Sequence, residues 1–103
     1  VINMGKTTGI RVHVRIPNPT SLEAAVRMYY EYIQIGNREI KELFGVSDAT
    51  ALKLKKLAKE QMDTEGILPW NALQVETKAA YRAWGLDIAD LEKRNNKLKK
   101  LAV

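Results

Sequence analysis

Three lysines, Lys53, Lys56 and Lys59, recur at every third residue in "KLKKLAK", a spacing that keeps them on one side of a helix. Ammonium groups in such a row suit a line of phosphates, although a lysine-rich face is more often only the solvated surface of a bundle. Arg11 and Arg15 form a second basic set: in "IRVHVRI" they share a face with His13, opposite Ile10, Val12, Val14 and Ile16. Other chemistry finds little material. His13 is the sole histidine and cysteine is absent, which excludes disulfide frameworks, zinc ribbons and thiol nucleophiles. With no carboxylate or second histidine near it in sequence, His13 supports neither a metal site nor a catalytic triad. Glu39, Glu42 and Glu60 read as solvated partners of basic neighbours. Gly5 to Thr8, "GKTT", is like the end of a phosphate-binding loop but lacks the glycine that such a loop needs five residues earlier. No enzyme, metal, cofactor or small-molecule substrate is expected.

Positioning these side chains falls to a chain whose 103 residues suit one domain, able to bury a modest core without metals or disulfides. The net charge of +5 and a pI near 9.6 favour an anionic partner. Residues 1–20 hold Lys6, Arg11 and Arg15 with no acid; residues 88–103 hold Lys93, Arg94, Lys97, Lys99 and Lys100 against Asp90 and Glu92. Either end reads as a basic arm for a phosphate backbone or as a solvated terminus. No apolar run approaches the roughly 20 residues that span a bilayer, and no signal-peptide layout opens the chain. A soluble, cytoplasmic protein without membrane contact is the expectation.

The pattern predicts a mainly α fold with a short N-terminal strand over Ile10–Ile16, ended by "PNPTS". Its basic outward face either lies along a phosphate backbone or guards an edge against aggregation. Thr20 or Ser21 caps a helix over about residues 22–33, in which Tyr29, Tyr30 and Tyr32 supply one or two core rings. Asn37 caps a short helix, "REIKELF", stopped by Gly45. Ser47 caps a long helix from Asp48 to about Met62, with Asp48 at its positive end. "ILPWNALQV" reads as a short hairpin or extended segment. A helix over 76–84, with Ala79, Ala80, Ala83 and Trp84 inward and Gly85 at its end, and a last helix that Asp87 caps and that runs to about Leu101 complete the chain. The single domain then divides into a basic arm and strand (1–20), a three-helix core holding two helices joined by a tight turn (21–64), and a β element with two helices (65–103).

"NREIKELFGVSDATALKL" has the layout of a helix-turn-helix. Two steeply crossing helices need an apolar residue on the first (Ile40), another before the turn (Phe44), a turn glycine (Gly45), a buried aliphatic residue (Val46) and two contacts on the second (Ala51, Leu54). All six stand at the required offsets. The longer stretch "EIKELFGVSDATALKLKKLAKEQM", about a quarter of the chain, resembles a segment of bacterial and phage helix-turn-helix proteins, among them excisionases and small regulators of mobile elements. One departure is Lys41, where many members carry alanine; a lysine there must snorkel past the second helix. The resemblance implies a helix-turn-helix core, with or without a wing, that binds double-stranded DNA as a transcriptional regulator or architectural factor.

It further implies that Ser47, Asp48, Ala49, Leu52 and Lys53 meet base edges in the major groove. Lys53 then donates to guanine, Asp48 accepts from cytosine N4, and Leu52 or Ala49 touches a thymine methyl. Lys56 and Lys59 meet phosphates, and the hydroxyls of Ser47 and Thr50 are offered to the backbone. Arginine, asparagine and glutamine, the residues of bidentate base contacts, are missing from this face, which predicts weak intrinsic specificity or cooperative binding. Homodimerisation has two routes: the strand Ile10–Ile16, and the stripe Ile88, Leu91, Asn95, Leu98 and Ala102, which packs on the domain's own core with equal reason. The competing function is a protein-interaction module on the same scaffold, with Trp70, Tyr81 and Trp84 as its surface.

Overall fold

The structure, a computed structural model, describes residues 15–102. The strand expected over Ile10–Ile16 and the site residue Arg11 fall outside that range, apart from Arg15 and Ile16, which lie in coil; Arg15 is exposed and Ile16 packs partly on the core. The described residues are mainly helical, with five helices and one small sheet. In chain order they are α1 (Leu22–Glu31), β1 (Gln34–Ile35), α2 (Asn37–Phe44), α3 (Asp48–Glu65), β2 (Val75–Glu76), α4 (Thr77–Ala83) and α5 (Ile88–Ala102). None of these helices is long and apolar enough to cross a membrane.

Local chemistry sets the helix ends. Ser21 Oγ accepts from Ala24 N at 3.1 Å to start α1, and Asp87 Oδ1 accepts from Ala89 N at 3.0 Å to start α5. Asn37 is not the cap of α2. Gly36 takes that place, and the Glu39 carboxylate reaches back 2.7 Å to its N–H, while Asn37 begins the helix with a buried, unpartnered Oδ1. Gly45 ends α2 at φ +66°, where a Cβ would also meet Thr20 Cγ2 at 2.9 Å. Thr20 is there because its N–H donates to the otherwise free Leu43 carbonyl at 2.8 Å.

β1 and β2 pair antiparallel, Gln34 with Glu76 and Ile35 with Val75. The sequence reading is met in part. The segment "ILPWNALQV" contributes only Val75 to a strand and forms no hairpin of its own, and the partner of β2 lies in Gln34–Ile35, two residues left between the first helix and the second. Ile35 and Val75 point inward and are fully buried.

The core gathers Ala25 and Met28 from α1, Ile40, Leu43 and Phe44 from α2, and Ala51, Leu54, Ala58 and Met62 from α3. Ala79, Ala80 and Tyr81 of α4, then Trp84 and Leu91, close it. Small residues on both sides let α3 lie close along α4, its most extensive partner. Burying each of Ile35, Ile40 and Leu54 contributes about 1.5–3 kcal/mol. Two aromatic residues join elements through their polar atoms as well. Trp84 Nε1 donates to Leu54 O at 2.9 Å and its ring meets Phe44 edge-on at 5.1 Å, which fastens the end of α4 to α3 and α2. Tyr81 OH donates to Ala25 O at 2.6 Å, and burial pushes that phenol above its ordinary range. Tyr81 and Trp84 are therefore core, which removes them from the protein-binding surface drawn from the sequence.

Of the three clustered tyrosines, only Tyr29 reaches the interior, packing on Tyr81 at 5.2 Å. Tyr30 OH donates to Glu92 of α5 at 2.9 Å, and Tyr32 is exposed. The stripe proposed for a dimer is divided: Leu91 and Asn95 are buried within this chain, whereas Leu98 faces solvent.

Candidate nucleic-acid interface

α3 is held by one face and free on the other. Ala51, Leu54, Lys55, Ala58 and Met62 recur at three and four and are buried; Ala49, Leu52, Lys53, Lys56 and Lys59 are exposed. The turn that leads into α3 follows the spacing expected. Ile40 and Phe44 on α2 and Ala51 and Leu54 on α3 are buried together, and Val46 between them is half-buried.

The sequence-derived site residues do not all have the same freedom. Ser47 Oγ accepts from Thr50 N at 3.4 Å and donates to Thr50 Oγ1 at 3.4 Å, so both hydroxyls already have a local partner. Asp48 is exposed and already has a cationic neighbour: Lys41 Nζ lies 2.8 Å from its Oδ1. That contact also shows how Lys41 is accommodated, its stem running past the start of α3 to an acid at the helix's positive end. Lys59 Nζ donates to Ala72 O at 3.1 Å, leaving two further N–H donors on an exposed ammonium. Lys53 and Lys56 have no protein partner among the described residues. Ala49 and Leu52 present methyl groups to solvent, Leu52 being 52% exposed.

Sequence reasoning passed over one feature beside this face and drew a second only in part, through Trp70. Lys55, only 8% exposed, lies on the core side of α3, and its ammonium donates to Leu73 O at 3.3 Å. Burial, and then the neighbouring Lys59 charge, lower its proton affinity. The signal was present, since 51, 54, 55, 58 and 62 form one apolar stripe with a lysine inside it. The second feature is the loop from 67 to 74, where Leu68, Trp70 and Leu73 are exposed. Lys55 and Lys59, one turn apart on α3, both bind carbonyls of this loop, so it lies along a flank of the basic face.

Farther from that face, Arg82 grips Glu65 with two nitrogens, tying α4 to the last turn of α3. The guanidinium, with Gln61 Nε2, holds the Glu65 carboxyl down to about 2. The described residues contain no cluster of three or more potential metal-binding side chains. Comparison with protein-family models, with curated proteins and with solved structures finds no match, so the candidate interface stands on its own geometry and charge.

Proposed function

We propose that the chain binds duplex DNA, with α2 and α3 as a helix-turn-helix that lays the outer face of α3 in the major groove. The observation that carries this reading is the pair Lys53 and Lys56, solvent-facing and without a partner among the described residues, on a helix whose opposite face is locked into the core. Their ammonium groups neutralise phosphates, and most of the affinity comes from released counterions. Leu52 and Ala49 supply apolar contacts to thymine methyls. With Asp48 drawn to Lys41 and no arginine, asparagine or glutamine on the face, base discrimination is weak. A transcriptional regulator or an excisionase-like architectural factor of a phage or mobile element fits that balance, since such proteins gain selectivity from neighbours bound alongside.

Fluorescence anisotropy of a labelled duplex tests this. Binding should weaken steeply with salt, and Lys53→Ala combined with Lys56→Ala should weaken it further while leaving the circular dichroism spectrum and melting temperature unchanged. Absent or salt-independent binding refutes it. The exposed loop favours a second reading, a protein-interaction module. In that case Trp70→Ala removes partner capture and the lysine substitutions are silent.

A further inference from the structure

The loop between α3 and β2 carries three large apolar side chains at unusual exposure: Leu68 at 84%, Trp70 at 71% and Leu73 at 74%. Apolar groups so displayed mark a contact surface rather than a failure of folding, because this loop is firmly built. Ile67 N donates to Met62 O at 2.9 Å at its start, and β2 is paired with β1 at its end. Asn71 organises the middle, its Oδ1 accepting from Leu73 N at 2.9 Å and its Nδ2 donating to Gln74 Oε1 at 3.0 Å. Lys55 and Lys59 bind the carbonyls of Leu73 and Ala72 from the side.

Between Ile67 and Val75 there is no charged residue. The loop therefore cannot hold a phosphate by charge, and its chemistry is that of stacking and apolar contact. The charged side chains placed against it are Lys55 and Lys59 of α3 and, on α2, Arg38 and Glu39 near Asn71 and Leu73. Lys53, Lys56, Glu60 and Asp63 are exposed elsewhere on α3, and the Glu39 carboxylate accepts from Gly36 N at 2.7 Å. An apolar projection whose border carries more cations than acids is complementary to a polyanion with apolar surface inside its groove. A duplex has that chemistry, and an unstacked base step offers the apolar part.

We infer that the loop 67–74 is a rigid apolar wedge that enters the DNA minor groove beside the major-groove helix, with Trp70 as the residue that opens a base step. The inference rests on the duplex-binding reading above and adds to it a bend at the site of insertion. Lys55 acts here as a positioning residue: it never reaches DNA but fixes Leu73, and so the loop, against α3. Flexible TA and CA steps are the preferred sites, since they unstack most readily.

Two tryptophans make the test direct, because Trp84 is buried and only Trp70 is open to a quencher. Acrylamide quenching of the full chain is measured with and without a mixed-sequence duplex containing TA steps, and bending is read by energy transfer between dyes at the duplex ends. The wedge requires that DNA protect Trp70 from acrylamide and that the dyes approach. Trp70→Ala should abolish the approach and weaken binding about five- to a hundredfold, the range for loss of one aromatic stacking contact. Lys55→Met should keep binding but reduce the bend. Salt-sensitive duplex binding with Trp70 still fully quenchable overturns the wedge and leaves the α3 reading standing. Unbent DNA with protected Trp70 also overturns it. Absence of duplex binding overturns both, as does capture of a protein through Trp70 when the duplex is ignored.

Discussion

Adjacent lysines on α3 should behave in opposite ways. Lys56 is exposed and without a partner among the described residues, whereas Lys55 is buried and spends its ammonium on the Leu73 carbonyl. If Lys53, Lys56 and Lys59 each neutralise one phosphate, together they give a slope of about −2.7 in log K against log salt. Raising salt from about 50 to about 200 mM then weakens binding by about fortyfold through these three residues. Lys56→Met should lower the magnitude of that slope by about 0.9, reducing the loss over the same range by about 3.5-fold, with no change in urea midpoint. Lys55→Met should leave the slope untouched. It replaces a desolvated cation with an apolar side chain of similar length, so stability should stay within about 1 kcal/mol of the parent. Anisotropy titrations at four or more salt concentrations, with urea unfolding of each variant, measure both quantities. Equal flattening of the slope by the two substitutions, or none from Lys56→Met, refutes the assignment of faces on α3.

Three further outcomes follow from the packing. Gly45→Ala places a Cβ at positive φ and against Thr20, and should cost about 1–2 kcal/mol in urea unfolding; Thr20→Ser in the same chain removes the clashing methyl and should recover part of that loss. Tyr81→Phe deletes the buried hydrogen bond to Ala25 O and should cost about 1 kcal/mol in the same assay. Glu65 has its folded proton affinity depressed to about 2 from 4.5, so its stabilising contribution is complete above about pH 4.5 and is lost as pH falls toward 2. Glu65→Gln should therefore melt below the parent at neutral pH, with the gap closing by about pH 2; a gap that persists there excludes the Arg82–Glu65 pair as its cause.

Helices were legible where local signals agreed. Ser21, Ser47 and Asp87 start helices as their side chains dictate, Gly45 ends one at positive φ, and Ala51 and Leu54 lie on the buried face of α3 as their spacing required. The β ladder was not legible. Two residues on each side have no periodicity to detect, and Ile35 meets Val75 across a ladder whose strands are held together by the packing of α3 along α4. The basic residues divide in the same manner. Composition places lysines on a helix, but only packing tells that Lys55 is interior, that Lys59 reaches a loop carbonyl and that Asp48 answers Lys41. Trp84 was legible as inward from the helical pattern, but the competing surface with Tyr81 was misjudged for a related reason: aromatic residues with a polar atom fit a surface or an interior, and the backbone carbonyls that accept their hydrogens belong to distant helices.

The β1–β2 ladder brings together residues about 40 positions apart, and closing a ring of that length costs about 3 kcal/mol in chain entropy. Two residue pairs do not offset this alone, so the ladder forms as a consequence of the helices that dock between its strands. Once formed, it turns α2, the turn, α3 and the apolar loop into a cassette fastened at both ends. Its outer surface then carries no duty in folding. Ala49, Leu52, Lys53 and Lys56 become interchangeable parts, substitutable at within about 0.5 kcal/mol each as ordinary surface positions are. Such a chassis can acquire a new binding preference by changing four side chains, with the core and the ladder left as they stand.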